Sequence, residues 1–66
     1  MNTEAIRNYV NAQWDAQRHP GQWKSFIKWL LSGIEAETME DKFNVDPSDE
    51  SEVREMNEYI RSLDAK

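Results

Sequence analysis

An all-α fold, a single domain of four short helices, is predicted for this 66-residue chain from three observations. Apolar residues recur three and four positions apart along most of the sequence, and no segment shows the strict apolar–polar alternation of a half-buried strand. The length allows one small hydrophobic core, and the chain has no cysteine to cross-link it. A domain of this size then depends on dense aromatic packing or on a second copy of itself, so a homodimer stays open.

The first helix is predicted over residues 3–18, with Thr3 or Asn2 as its N-terminal cap. Its apolar face spans about 200° of the helical wheel, which is more than one packed neighbour covers. Either two helices or a second molecule should therefore meet this face. Pro20 and Gly21 end the helix. The apolar face comprises Ala5, Ile6, Tyr9, Val10, Ala12, Trp14 and Ala16.

The second helix is predicted over residues 22–32, with one strongly apolar stripe. The stripe comprises Trp23, Phe26, Ile27, Leu30, Leu31 and Ile34. Trp29 lies roughly 60° outside the edge of this stripe. Two interpretations are open: Trp29 is an exposed anchor for a partner, or the first or fourth helix covers it and it belongs to the core.

A helix break is predicted around Gly33. If the second helix continued, Ala36, Met39 and Phe43 would form an apolar face almost opposite the Trp23–Ile34 stripe. One straight helix in so small a domain cannot supply two cores. We therefore expect Gly33 to terminate the second helix and a third helix to occupy residues 35–44.

The fourth helix is predicted over residues 47–63. Asp46 is the expected cap, and Pro47 the first helical residue, where its missing N–H has no cost. The apolar stripe of this helix is narrow, about 120° wide, and the rest of its surface is polar. The stripe comprises Val53, Met56, Tyr59, Ile60 and Leu63.

Charge is distributed unevenly between the two halves of the chain. Residues 1–33 hold four bases and two acids, whereas residues 34–66 hold eleven acids and four bases, giving +2 and −7 and a total of −5. All three tryptophans lie in the first half. Such a sign asymmetry influences which partners approach which part of the surface.

The residues needed for catalysis are sparse, and we expect a protein without enzymatic activity, metal or cofactor. A nucleophile requires a base within hydrogen-bond reach, and the single histidine, His19, precedes Pro20 in a turn. One histidine without cysteine does not build a zinc site. An EF-hand loop starting at Asp41 would place Phe43 and Val45 at ligand positions, which excludes that calcium motif.

Direct contact with nucleic acid or membrane is not expected. Residues 38–53 resemble a helix-turn-helix in outline, but the second helix opens with acids that would repel phosphates. Residues 23–31 resemble an interfacial membrane helix, but the domain needs this helix for its core. The apolar-rich stretch of about 12 residues is too short to cross a bilayer. With no secretory signal pattern at the N-terminus, we expect a cytoplasmic protein.

Two functional hypotheses follow. The first is a protein-binding module, a regulator or inhibitor that occupies a surface of a larger protein, as its small size and acidity are typical of phage and plasmid accessory proteins. Its apolar anchors would be Trp29, Trp14 and Tyr9.

The second hypothesis is a nucleic-acid mimic whose acidic half occupies a basic DNA- or RNA-binding cleft of a larger protein. Its candidate residues are Glu35, Glu37, Glu40, Asp41, Glu52, Glu55 and Glu58. The fourth helix would replace some 15 phosphates with six acids, two of them offset by Arg54 and Arg61. A monomer is therefore a sparse mimic, and a dimer that aligns two acidic faces would be closer to the charge density of DNA.

Overall fold

The caps and turns of this sequence divide it into four helices. The computed structural model describes residues 1–17 and 22–63, with α1 at Thr3–Gln17, α2 at Trp23–Gly33, α3 at Ala36–Asp41 and α4 at Glu50–Ser62. No strand occurs within these two ranges. Predicted features at residues 18–21, including the end of the first helix, and at residues 64–66 lie outside the described residues.

Asn2 caps the start of α1. Its side-chain Oδ1 accepts a hydrogen bond from the Ala5 N–H at 3.1 Å, and its carbonyl accepts one from Ile6 at 3.1 Å. The Asn2 N–H in turn donates to the carbonyl of Phe43 at 2.7 Å. The first turn of α1 is thus joined to the segment that follows α3.

The predicted break after α2 is present, but Gly33 does not make it. Gly33 is the last helical residue, and the chain leaves the helix through extended Ile34 (φ −73°, ψ 121°) and Glu35 (φ −76°, ψ 148°). A Cβ at position 33 would meet nothing within 4 Å. The helix therefore ends because Ile34 is drawn toward the core, against which it packs half-buried.

The third helix is shorter than predicted, ending at Asp41 instead of residue 44. The Val45 N–H reaches back to the Met39 carbonyl at 2.8 Å, and Asn44 between them adopts a left-handed conformation with φ 54°. This reversal buries Phe43 and Val45, at 0% and 2% exposure. The expected apolar face is thus only partly formed by the helix, and Ala36 is exposed.

Asp49, and not Asp46, caps α4. The Asp49 carboxylate accepts hydrogen bonds from the N–H groups of Ser51 (2.9 Å) and Glu52 (3.4 Å), and the helix begins at Glu50. The Asp46 carboxylate is already occupied in a tighter turn, where it accepts from both the N–H and the hydroxyl of Ser48. The helix start therefore moves three residues beyond the predicted Pro47.

The fully buried core residues come from outside α3, whose Met39 packs against them half-buried. The nine buried side chains are Ile6, Val10, Phe26, Ile27, Leu30, Phe43, Val45, Met56 and Ile60, and none of the described polar side chains is buried with them. The main helix-to-helix contacts are α1 with α4 and α2 with α4. The most polar helix of the chain therefore occupies the centre, because its narrow stripe faces both neighbours.

Two hydrogen bonds from side chains to backbone carbonyls distant in sequence connect α4 to α2 and to α1. The indole Nε1–H of Trp23 donates to the Leu63 carbonyl at 3.0 Å, joining the start of α2 to the end of α4. The Tyr59 hydroxyl donates to the Thr3 carbonyl at 3.3 Å. None of the described helices combines the length and the apolar character needed to cross a membrane.

Alanine substitutions at Gly33 and Asn44 should have opposite effects on stability. Gly33→Ala adds a methyl group in open space at a helical position, and we expect a gain of up to about 1 kcal/mol in the free energy of unfolding. Asn44→Ala places an ordinary residue in the left-handed region, and we expect a loss of about 1 kcal/mol. Urea denaturation followed by circular dichroism measures both, and a loss with Gly33→Ala would contradict our account of the break.

The stability contributed by Asp46 should depend on pH. Hydrogen bonds first from the Ser48 hydroxyl and then from its N–H hold the pKa of Asp46 below its ordinary value. Since this pKa is lower in the folded than in the unfolded state, its contribution is present above the ordinary aspartate pKa and disappears as the pH falls through the lower value.

We therefore expect Asp46→Asn to be less stable than the wild type at neutral pH and equally stable in strong acid. Urea titrations across the acidic range measure this difference, and Ser48→Ala should reproduce part of it. A difference that is constant with pH would show that the Asp46 charge is not involved.

Candidate protein-interaction surfaces

Two of the three tryptophans are packed into an aromatic cluster around Phe26. The ring centroid of Trp14 lies 5.1 Å from those of both Trp23 and Phe26, in edge-on geometry with interplanar angles of 70° and 66°. Trp14 and Trp23 are half-buried, and Phe26 is fully buried. Edge-on aromatic pairs at this distance stabilise a core beyond the area they bury. Trp14, predicted as a partner anchor, thus packs against the core.

Trp29 remains at the surface. Its side chain is 49% exposed, and its ring is tilted against Phe26 with a centroid distance of 6.1 Å. Among the described residues, Met1 is the other large apolar side chain that is exposed. The interpretation in which another helix buries Trp29 is therefore not the one the structure shows.

The Tyr9 ring is in contact with none of the three tryptophan rings. Its ring meets Phe43 edge-on at 5.3 Å, and the residue is half-buried. Tyr9 also lines a shallow groove of about 610 Å³ between α1 and Lys42, together with Ala12 and Gln13. The broad face of α1 is thus covered by α4 and, at Trp14, by Trp23 and Phe26 of α2, and it is open along the groove at Tyr9. The three predicted anchors do not form one patch.

The acidic residues predicted as one face fall into separate groups. On and just before α3, Glu35, Glu37 and Asp41 line a small depression with Lys42. Glu40 lies in a second depression with Glu52, whose Oε2 accepts a hydrogen bond from the Asp46 N–H at 3.1 Å.

The remaining acids of the predicted face lie on α4. Glu58 shares a groove with Glu50, but Arg54 and Arg61 line the same groove. Glu55 is exposed and lines none of these depressions. Acids and bases are therefore mixed on the surface of this helix. Arg54 follows Glu50 by four residues and Arg61 follows Glu58 by three, the spacings of ordinary helix ion pairs.

A groove that the sequence did not indicate runs between α2 and the end of α4. It has a volume of about 470 Å³ and is lined by Trp23, Lys24, Ile27, Lys28, Leu31 and Arg61. Its apolar residues are half-buried or buried, and its three cations are exposed. The sequence signal for this groove was the pair Lys24 and Lys28, one helical turn apart beside the apolar residues of α2. The position of Arg61 next to this pair depends on tertiary packing and could not be predicted.

The described residues show little that could perform chemistry. Within residues 1–17 and 22–63, no three acidic or histidine side chains converge as a metal site. His19 lies outside the described residues. Comparison with known proteins adds no assignment: no family model, curated protein or solved structure matches this chain. Its function must therefore be inferred from these surfaces themselves.

The hydrogen bond between Trp23 and Leu63 should stabilise the α2–α4 contact that forms the groove. Trp23→Phe keeps an aromatic ring but removes the indole donor, and we expect a loss of about 1–2 kcal/mol in the free energy of unfolding. Hydrogen exchange should become faster in the last turn of α4. The matched control is Trp29→Phe, because the Trp29 indole donates no hydrogen bond within the described residues. Equal losses in both variants would contradict this role of the bond.

Proposed function

We propose that this protein is a small non-enzymatic binding module that regulates or inhibits a larger protein by occupying part of its surface through Trp29. The observation that supports the proposal most directly is the 49% exposure of Trp29 beside a fully buried Phe26. Tryptophan is enriched among the residues that contribute most to protein interfaces, because a large rigid ring loses much water-accessible area at little entropic cost.

The surroundings of Trp29 suit such a contact. Ser25, Ser32 and Gly33, which share its flank of α2, are small and exposed, so a partner can approach the ring closely. The Ser32 hydroxyl donates a hydrogen bond to the Trp29 carbonyl at 2.7 Å. This carbonyl, near the end of α2, therefore already has a side-chain partner. The buried Phe26 contacts the ring from the core side, with a centroid distance of 6.1 Å. An exposed tryptophan with small neighbours suits a binding anchor, because tryptophan is enriched among interface hot spots.

A nucleic-acid mimic is the alternative, supported by the exposure of all four predicted acids on and before α3, Glu35, Glu37, Glu40 and Asp41. The grouping of Glu58 with Arg54 and Arg61 counts against a continuous acidic face. The two functions differ in their response to salt. Binding through carboxylates weakens steeply as ionic strength rises, whereas binding through an apolar anchor changes little.

Photo-crosslinking can capture the partner in cells that produce the protein. Benzoylphenylalanine at Ser25, exposed one turn before Trp29, should form a discrete adduct with one larger protein. The adduct should disappear when Trp29→Ala is added to the same chain. Benzoylphenylalanine at Arg7, exposed on α1, is the control position and should give no such adduct. Equal adducts from both positions would contradict a contact centred on Trp29.

Trp29→Ala should separate binding from stability. Half of the ring is already in water, so we expect a loss of no more than about 2 kcal/mol in unfolding free energy, against about 3–5 kcal/mol for a buried tryptophan. Affinity for the captured partner should fall by about 2 kcal/mol or more, roughly 30-fold, at both low and high salt.

Two controls accompany this measurement. Arg7→Ala changes an exposed position on α1 and should leave affinity unchanged, and Trp29→Gln checks that the loss does not follow from unfolding. Light scattering gives the solution mass of each variant. A dimer that Trp29→Ala dissociates would assign this face to self-association, and an affinity that disappears with salt would favour the acidic mimic.

A further inference from the structure

The groove between α2 and the end of α4 combines an apolar floor with a rim whose described charged residues are all cationic. The floor consists of Trp23, Ile27 and Leu31, and the charged side chains at its edge are Lys24, Lys28 and Arg61. No acidic residue of the described chain lines it. Within residues 1–17 and 22–63 none of the three cations forms an ion pair.

This rim is unusual for the molecule that carries it. The chain has a net charge of −5, and the rest of the chain, without these three cations, has a net charge of −8. The three cations around these apolar side chains are therefore a local excess of positive charge, opposite in sign to the net charge of the chain. An occupant must supply carboxylates to the rim and apolar side chains to the floor.

From these features we infer that the groove binds an acidic amphipathic helix of another protein. The floor residues Trp23, Ile27 and Leu31 follow one another at four-residue spacing, which matches the apolar side of a helix laid along them. Lys24 and Lys28 are also one turn apart, about 6 Å along the helix axis. Carboxylates four residues apart on a partner helix have the same spacing, so both charged pairs form in one register.

The identity of the occupant follows from shape as well as charge. A groove of about 470 Å³ accepts a few apolar side chains. A bilayer needs a protruding apolar face, and an anionic bilayer would be repelled by the net negative charge of the rest of the chain. Nucleic acid would satisfy the cations but leave the apolar floor unfilled. A short acidic helix satisfies both components.

The groove is a different surface from the one proposed around Trp29. With 3.6 residues per turn, Trp29 points to nearly the opposite side of α2 from the centre of the groove residues. The two surfaces can therefore be occupied at once, and either can fail without the other. Among the three cations, Arg61 contributes least, because Glu58 of the adjoining groove lies one turn before it.

A pair of designed peptides tests the inference. The first is a fluorescein-labelled helix of about 14 residues with leucines along one side and glutamates flanking them. The second has lysine in place of every glutamate. Fluorescence polarisation should show that the wild-type protein binds the acidic peptide at least about tenfold more tightly than the basic one.

Charge reversal provides the decisive variant. Lys24→Glu combined with Lys28→Glu should abolish binding of the acidic peptide and confer binding of the basic one. The matched control, Arg7→Glu combined with Lys42→Glu, changes the net charge by the same amount at exposed positions outside the groove and should keep the wild-type preference. Leu31→Gln should weaken binding by removing part of the floor. Trp29→Ala should leave it unchanged, which separates this inference from the proposed function.

Several results would overturn the inference. These are equal affinity for the two peptides, no binding of the acidic peptide, or an equal loss in the matched control. Amide shift changes outside α2 and the end of α4 would also overturn it. So would binding of the wild type to phosphatidylglycerol vesicles that the Lys24/Lys28 reversal abolishes, because the groove would then serve a membrane surface. Circular dichroism on every variant excludes unfolding as the cause of a loss.

Discussion

The narrow apolar stripe of α4 is the constraint on which the remaining structure depends. Met56 and Ile60 are its fully buried members, and α4 packs against both α1 and α2. A single narrow stripe cannot cover the whole circumference of either neighbour. The aromatic side chains of α1 and α2 therefore fill the space that α4 leaves, and Phe26 is the buried centre of that cluster. What the core does not need remains at the surface, above all Trp29.

The distribution of charge follows from the same packing. The helix with the most aromatic residues, α2, carries Lys24 and Lys28, and the end of α4 brings Arg61 beside them. An acidic chain thereby has a basic apolar groove, which its net charge does not indicate. The acids, by contrast, are divided among several depressions and mixed with bases. The local arrangement of charges, more than the total of −5, then decides which partners fit.

Local patterns predicted most of the fold. The four helices and the break between α2 and α3 are present, and the described residues contain no strand, as predicted. The predicted details failed where two residues competed for one role. Asp46 and Asp49 are both good caps, and the hydroxyl of Ser48 decides between them by occupying Asp46. Gly33 was the obvious terminator, yet the burial of Phe43 and Val45 and the packing of half-buried Ile34 against the core determine the path of the chain.

The sequence by itself determined which side chains share a helical face, because that depends only on a period of 3.6 residues and on caps within a few positions. It did not determine which faces are covered. Trp29 could have been core or surface, and Arg61 is more than thirty residues away from Lys28 in the chain. Only the packing of α4 decided both, since the free energy of covering a face comes from contacts between distant segments, and no local propensity encodes them.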